Sequence, residues 1–177
     1  MTCYCREACG RLRAVVERVT QNLGWSKRST VKGKSLGLAA HRSFLSYAAV
    51  VASVVKRNDG TYRVDEVWVV LDAGTIINHD RVVAQMEGSF MKGMHLALYG
   101  CVSHKNGRVE QNNFHGVKLV RMVQEPRKMN VETLNSDLAP GGVGELGVPP
   151  IAPAVAHALF ALTGKRVRSF PLLSGLV

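Results

Sequence analysis

Apolar residues recur at three- and four-residue spacing through Leu12, Val15, Val16, Val19 and Leu23. With Gly24 in a C-terminal capping position, this predicts an amphipathic helix over residues 10–23 whose apolar stripe faces a core. The polar, basic stretch Ser26 to Ser35, which contains Gly33, reads as a loop. From Ser46 to Lys56 the residues are apolar and rich in β-branched side chains, Asn58-Asp59-Gly60 supplies a turn, and Tyr62 to Leu71 returns through Val64, Val67, Val69 and Val70. That is the pattern of an antiparallel hairpin. His41, Ser43 and Tyr47 stand at its entrance, where polar side chains usually serve structure.

Helical spacing resumes from Asp80 to Leu98 through Val82, Val83, Met86, Phe90 and Met94, with Asn78 or Asp80 as the N-cap. Gln85, Gly88 and Lys92 share one side of this helix. Gly88 and Gly93 each weaken a helix by about 1 kcal/mol relative to Ala, so close approach of another backbone or a bound group has to justify them. Tyr99–Ser103 and Arg108–Phe114 flank Lys105-Asn106-Gly107 as a second hairpin, and the segment from Pro126 to Pro140 reads as irregular. A last helix, from Pro150 or Ile151 to Thr163, carries Ile151, Val155, Leu159 and Leu162 on one face and ends at Gly164. Pro149, Pro150 and Pro153 are placed at its start. The expected fold is α+β (mixed α/β), with two hairpins in a mixed or predominantly antiparallel sheet packed by three helices, and no internal repeat.

At 177 residues the chain is long enough for one domain with a real core. No run of 18 apolar residues appears, which excludes a membrane-spanning helix, and residues 1–10 lack the apolar centre of a signal peptide. The expected location is therefore cytoplasmic, or periplasmic if an export signal lies upstream. A net charge of +10 raises the alternative of a basic nucleic-acid-binding module. The N-terminal basic residues do not alternate with an aromatic series that could stack on bases, so a solvated or partner-facing surface is the better reading. Cys3, Cys5 and Cys9 have neither zinc-site nor iron–sulfur spacing, and with Cys101 they read as reduced thiols. His95, His104 and His115 match no compact ligand motif and read as packing or surface residues.

Chemistry concentrates in Pro140-Gly141-Gly142-Val143-Gly144-Glu145-Leu146-Gly147-Val148-Pro149-Pro150, where the last acidic residue of the chain sits among glycines. Without Cβ atoms, such a loop can be approached closely by a bound group, and prolines stiffen both ends. Gly142, Gly144 and Gly147 also spell a dinucleotide fingerprint, but no apolar strand precedes them and no acid follows Glu145. Just upstream of a helix N-terminus, Glu145 feels a dipole that favours its ionised form, while burial against a cofactor would oppose it. A carboxylate poised between the two suits a general base.

Four segments occur in one order: Asp72-Ala73-Gly74-Thr75-Ile76-Ile77-Asn78-His79-Asp80, Ala84-Gln85-Met86-Glu87-Gly88-Ser89-Phe90, the Gly141–Pro153 loop, and Thr163-Gly164-Lys165-Arg166-Val167-Arg168. That order resembles the molybdenum hydroxylases. The match is to the C-terminal part of the molybdopterin-binding large subunit of the xanthine dehydrogenase and aldehyde oxidase family, of the isoquinoline 1-oxidoreductase beta-subunit type. It gives residues 10–177 as part of the molybdopterin-binding domain, with residues 1–9 as an N-terminal extension.

The resemblance implies that Glu145 is the base that activates a molybdenum-bound hydroxide and that Gln85 lies beside the molybdopterin. Gly142 and Gly144 would line the cofactor, and the protein would supply no metal ligand. The resemblance further implies a molybdenum–molybdopterin cofactor in its cytosine dinucleotide form, a 2Fe–2S small subunit, and an N-heterocycle or aldehyde as substrate, with water supplying oxygen and no nucleic-acid partner. The family's usual Asn-Pro is Asn78-His79 here, and the proline that usually follows the glutamate is Leu146. The family's large subunit is several times longer, so this chain reads as one wall of an active site that holds its cofactor only in a complete assembly with the missing N-terminal lobe. The alternative within this fold is a non-catalytic truncated fragment that docks on a partner lobe.

Overall fold

The computed structural model describes residues 2–25 and 33–172, with side chains from residue 9 onward. Its elements in chain order are α1 (Thr2–Asn22), β1 (Lys34–Ser43), β2 (Ser46–Lys56), β3 (Tyr62–Asp72), α2 (His79–Leu98), β4 (His104–Lys105), β5 (Arg108–Val109), β6 (Lys128–Thr133) and α3 (Val148–Thr163). The main sheet has the order β1-β2-β3-β6. Its first two pairings are antiparallel and the third, β3 with β6, is parallel. The expected mixed α+β architecture with three helices is therefore present.

β2 explains the layering. Residues 46 to 54 are all buried, because successive side chains leave the strand on opposite faces and both faces are covered. Tyr47, Ala49 and Val51 meet Val15 and Val19 of α1. Val50, Ala52 and Val54 meet Phe90 and Met94 of α2 and Ile151, Val155 and Leu159 of α3. The molecule is thus three layers: α1, the sheet, and the α2–α3 pair. Each fully buried Val, Leu or Ile contributes about 1.5–3 kcal/mol relative to exposure.

Several elements differ from the sequence reading. α1 starts at Thr2, so its backbone runs through residues 2–9 with no break at residue 10. Lys34 and Ser35, read as loop, open β1, which pairs with β2 from Lys34↔Val55 to Ser43↔Ser46; the rest of the expected loop, residues 26–32, lies outside the described residues. β1 escapes pattern recognition because it is short of β-branched residues and its outer positions are polar. β6 stands where residues 126–140 read as irregular. Only Met129 and Val131 mark it as a strand, and its pairing depends on a crossover through α2 that no local pattern reveals. The second hairpin forms at Asn106-Gly107, both with positive φ, but its strands are two residues each and make a separate sheet. α3 begins at Val148, with Pro149 and Pro150 in its first turn, while Pro153 lies inside the helix rather than at its start. Cys9 and Cys101 are exposed free thiols, and the side chains of Cys3 and Cys5 lie outside the described residues.

Two glycines set the spacing of the layers. A Cβ on Gly37 would overlap the Ala154 carbonyl oxygen and the Ala158 nitrogen, so α3 lies directly on the β1 backbone. A Cβ on Gly93 would come within 2.8 Å of the Val148 carbonyl oxygen and 3.1 Å of Ile151, which is the close packing of α2 on α3 that its sequence position demanded. Gly88 is different: it is exposed on α2 with nothing within 4 Å of the added atom. Gly37→Ala should therefore destabilise the chain by at least about 1–3 kcal/mol, whereas Gly88→Ala should stabilise it by up to about 1 kcal/mol. Urea unfolding of the two variants measures both signs.

Candidate active site

The Glu145 loop is pinned close to its carboxylate on three sides. Leu146 is fully buried among Ala48, Leu71, Ala73, Val82 and Met86. Gly147 lies so close to Ser89 of α2 that a Cβ there would overlap the serine hydroxyl. The Gln85 side-chain amide donates to the Gly144 carbonyl oxygen. These contacts fix the backbone on either side of Glu145 and leave its side chain exposed. Leu146 is the apolar anchor of the loop.

The loop runs straight into α3. Val148 N–H donates to the Glu145 carbonyl oxygen at 2.9 Å, and Gly147 is the N-cap without a side-chain bond. Pro149 and Pro150 remove two of the amides that a helix start normally offers to an anion. The helix dipole still points at the loop. The polar equipment of this corner is thus the Glu145 carboxylate and the Gln85 amide rather than a nest of N–H groups.

Gln85 and Gly144, both expected at the site, are brought into direct contact, and Glu145 follows at the next position. Gly142 sits farther along the loop, its N–H donating to the Phe44 carbonyl oxygen at 2.8 Å and its Cα closed on one side by the Phe44 side chain. Gly144 has nothing within 4 Å of an added Cβ, as is true of Gly88 three residues along α2 from Gln85. Gly88, Gln85, Gly144 and Glu145 therefore form one exposed corner that is low in side-chain bulk and has an amide and a carboxylate at its edge. A bound group could approach this corner closely and meet the Gln85 amide and the Glu145 carboxylate there. Among the described residues no group of His, Cys, Asp and Glu could hold a metal ion, and no helix is long and apolar enough to cross a membrane.

Sequence reasoning missed the support beneath this corner. The Arg11 guanidinium holds both Asp72 carboxylate oxygens at 2.7 Å, joining α1 to the end of β3. The ion pair is largely buried, at 17% and 8% side-chain exposure. Gly74 N–H also donates to Asp72, at 3.1 Å. Asp72 opens one of the four ordered sequence segments, but nothing local in the sequence links it to a residue 61 positions earlier.

Residues 9–126 match the family described as the molybdopterin cofactor-binding domain. The isoquinoline 1-oxidoreductase subunit beta of Brevundimonas diminuta is 36% identical over 166 residues, covering 92% of this chain and 21% of that protein. The membrane-bound aldehyde dehydrogenase [pyrroloquinoline-quinone] of Gluconacetobacter polyoxogenes is 31% identical over 92% of this chain and 22% of its own length. Among solved structures, quinoline 2-oxidoreductase from Pseudomonas putida 86 superposes with a TM-score of 0.64 at 21% identity, over 72% of this chain and 17% of that one. The Cu,Mo-CO dehydrogenase gives 0.62 at 18% identity, over 73% and 18%; these two establish a shared fold. The chain belongs to the molybdopterin cofactor-binding domain family, and it spans about a fifth of the length of the curated relatives it matches.

Burial raises the pKa of Asp72, but the Arg11 bonds and the Gly74 amide outweigh it and hold the carboxyl below its ordinary range. A carboxylate depressed in the folded state stabilises the fold above its unfolded pKa, about 3.9. That stability is lost as pH falls through the lower folded value. Asp72→Asn should accordingly cost on the order of 1–3 kcal/mol at pH 7. The difference from the parent should shrink below about pH 4, and urea unfolding of both proteins across pH 3–7 measures it.

Proposed function

We propose that this chain is one wall of the active site of a molybdopterin-dependent oxidoreductase that hydroxylates an N-heterocycle or oxidises an aldehyde. Glu145 is its proton acceptor, and Gln85, Gly142 and Gly144 lie against the cofactor. The observation that carries this reading is the Gln85–Gly144 contact, which joins the two sequence motifs expected at a cofactor and leaves Glu145 exposed beside the bare Gly88 and Gly144 surface. The molybdenum cofactor, in its cytosine dinucleotide form, supplies the two-electron acceptor for a reaction whose oxygen comes from water. The chain's own task is proton chemistry and placement. The Glu145 carboxylate accepts the proton released as water becomes a nucleophile, while Leu146 and Gly147 hold its backbone still. Gln85 keeps the loop on α2.

The partners in this reading are the further lobe of a molybdopterin-binding subunit and a 2Fe–2S subunit that takes the electrons onward. Exposed apolar side chains between α2 and β6 support a surface that another lobe covers: Phe114 is 91% exposed, Met122 82% and Val123 79%. The positive charge supports a nucleic-acid reading less well. Arg11, Arg13, Arg18 and Lys34 are engaged by Asp72, Glu17, Glu132 and the Asp65–Glu66 pair, so the N-terminal basic residues are partly neutralised within the fold.

In an enzyme reconstituted with the further lobe, Glu145→Gln should retain molybdenum and lose about 100- to 10,000-fold in single-turnover rate. Gln85→Ala should instead lower the molybdenum content per chain. Metal analysis and single-turnover kinetics on the same preparations separate the two effects. A Glu145→Gln enzyme within a few-fold of the parent removes the carboxylate from the mechanism, and a parent assembly that never holds molybdenum favours the non-catalytic fragment.

A further inference from the structure

The loop that carries Glu145 hangs from the sheet by two backbone bonds. Gly141 N–H donates to the Ala73 carbonyl oxygen at 2.7 Å, and Gly142 N–H to the Phe44 carbonyl oxygen at 2.8 Å. The two acceptors belong to different elements, the end of β3 and the β1–β2 turn. Arg11 touches both: its Nε and Nη2 hold Asp72, the residue before Ala73, and its Nη1 donates to the carbonyl oxygen of Leu45, the residue after Phe44, at 3.3 Å. The Tyr47 ring lies under the guanidinium, 4.5 Å from its centre.

The turn needs such a hold. Phe44 and Leu45 have φ of 50° and 64°, a left-handed conformation that bulky residues rarely adopt, and both side chains are exposed. The Ser43 and Ser46 hydroxyl oxygens beside them are buried without a hydrogen-bond partner, and Ser46 Oγ sits where a Cβ on Gly141 would fall. A conformation of this kind persists only where its surroundings over-determine it.

We infer that Arg11 is a positioning residue for the Glu145 loop: its guanidinium ties the Phe44–Leu45 turn to the end of β3 and so fixes the separation of the two carbonyls from which the loop hangs. An arginine suits this task because its planar fork can hold a carboxylate with two donors while a third reaches a carbonyl. It lies one turn before Val15 on the same face of α1, so the apolar stripe that packs the helix also delivers the fork to the sheet end. The catalytic meaning of the clamp rests on the assignment of Glu145 as proton acceptor; the clamp itself does not.

Amide hydrogen exchange of the 177-residue chain, read residue by residue by NMR, tests it. In Arg11→Ala the Gly141 and Gly142 amides should exchange about 10- to 100-fold faster, the range expected for losing a charged hydrogen bond, whereas Val64→Ala, a buried truncation at the opposite end of β3, should speed Val50 and Val69 through global destabilisation and leave Gly141 and Gly142 at the parent rates. Arg11→Lys should restore the unfolding midpoint by keeping a charge opposite Asp72, yet leave Gly142 fast because one ammonium cannot replace the fork. If Arg11→Ala does not fold, Asp72→Asn serves in its place with the same expected pattern. Unchanged Gly141 and Gly142 rates in Arg11→Ala, or the same rise of both in Val64→Ala, overturn the proposal. Selective loosening together with a Glu145→Gln enzyme that turns over normally upholds the clamp and sinks the catalytic reading.

Discussion

Burial of β2 on both faces is the constraint on which the rest depends. A strand whose two sides are both dry needs a helix layer on each, and the chain supplies α1 on one face and the α2–α3 pair on the other. Because successive β2 side chains alternate between the layers, the register of β2 decides at once where all three helices sit. The partner strands follow from it. β3 carries Val67 and Val69 toward α2 and α3 and Val70 toward α1, and it ends at Asp72, level with Tyr47 of β2.

Close backbone approach converts this layering into a site. Gly37 lets α3 rest on β1, and Gly93 lets α2 rest on the start of α3. The result sets the N-terminus of α3 and the middle of α2 side by side, with the loop of residues 140–147 between them. Leu146 enters the core there and Glu145 does not, so of two neighbouring side chains one anchors the loop and the other stands exposed. The two prolines that begin α3 spare that end the full set of unpaired amides and leave the carboxylate and the Gln85 amide as its polar groups.

Glycine serves two physical purposes in this chain, and the structure separates them. At residues 37, 93, 141 and 147, neighbouring atoms fill the space a side chain would need, so glycine there is a packing requirement. At residues 88 and 144 the space is open. Gly88 lies one helical turn from Gln85 and Gly144 directly precedes Glu145, so both leave the backbone uncovered where those two side chains stand exposed.

The sequence by itself determined the strongly periodic elements: the stripes of α1, α2 and α3, the β2–β3 hairpin with its Asn58-Asp59-Gly60 turn, an N-cap for α2 at Asn78 or Asp80, of which the structure uses Asn78, and the glycine loop around Glu145. These follow from local geometry, because a period of 3.6 or 2 and the φ freedom of glycine are properties of neighbouring residues. Only the tertiary structure decided β1 and β6, whose few apolar residues become strands because an already buried neighbour offers unpaired backbone groups. It likewise decided that Leu146 anchors the loop and that Arg11 reaches Asp72 and Leu45 across the sheet end. Such contacts join residues far apart in the chain, and no local spacing records them; they exist because the layers packed around β2 bring those atoms together.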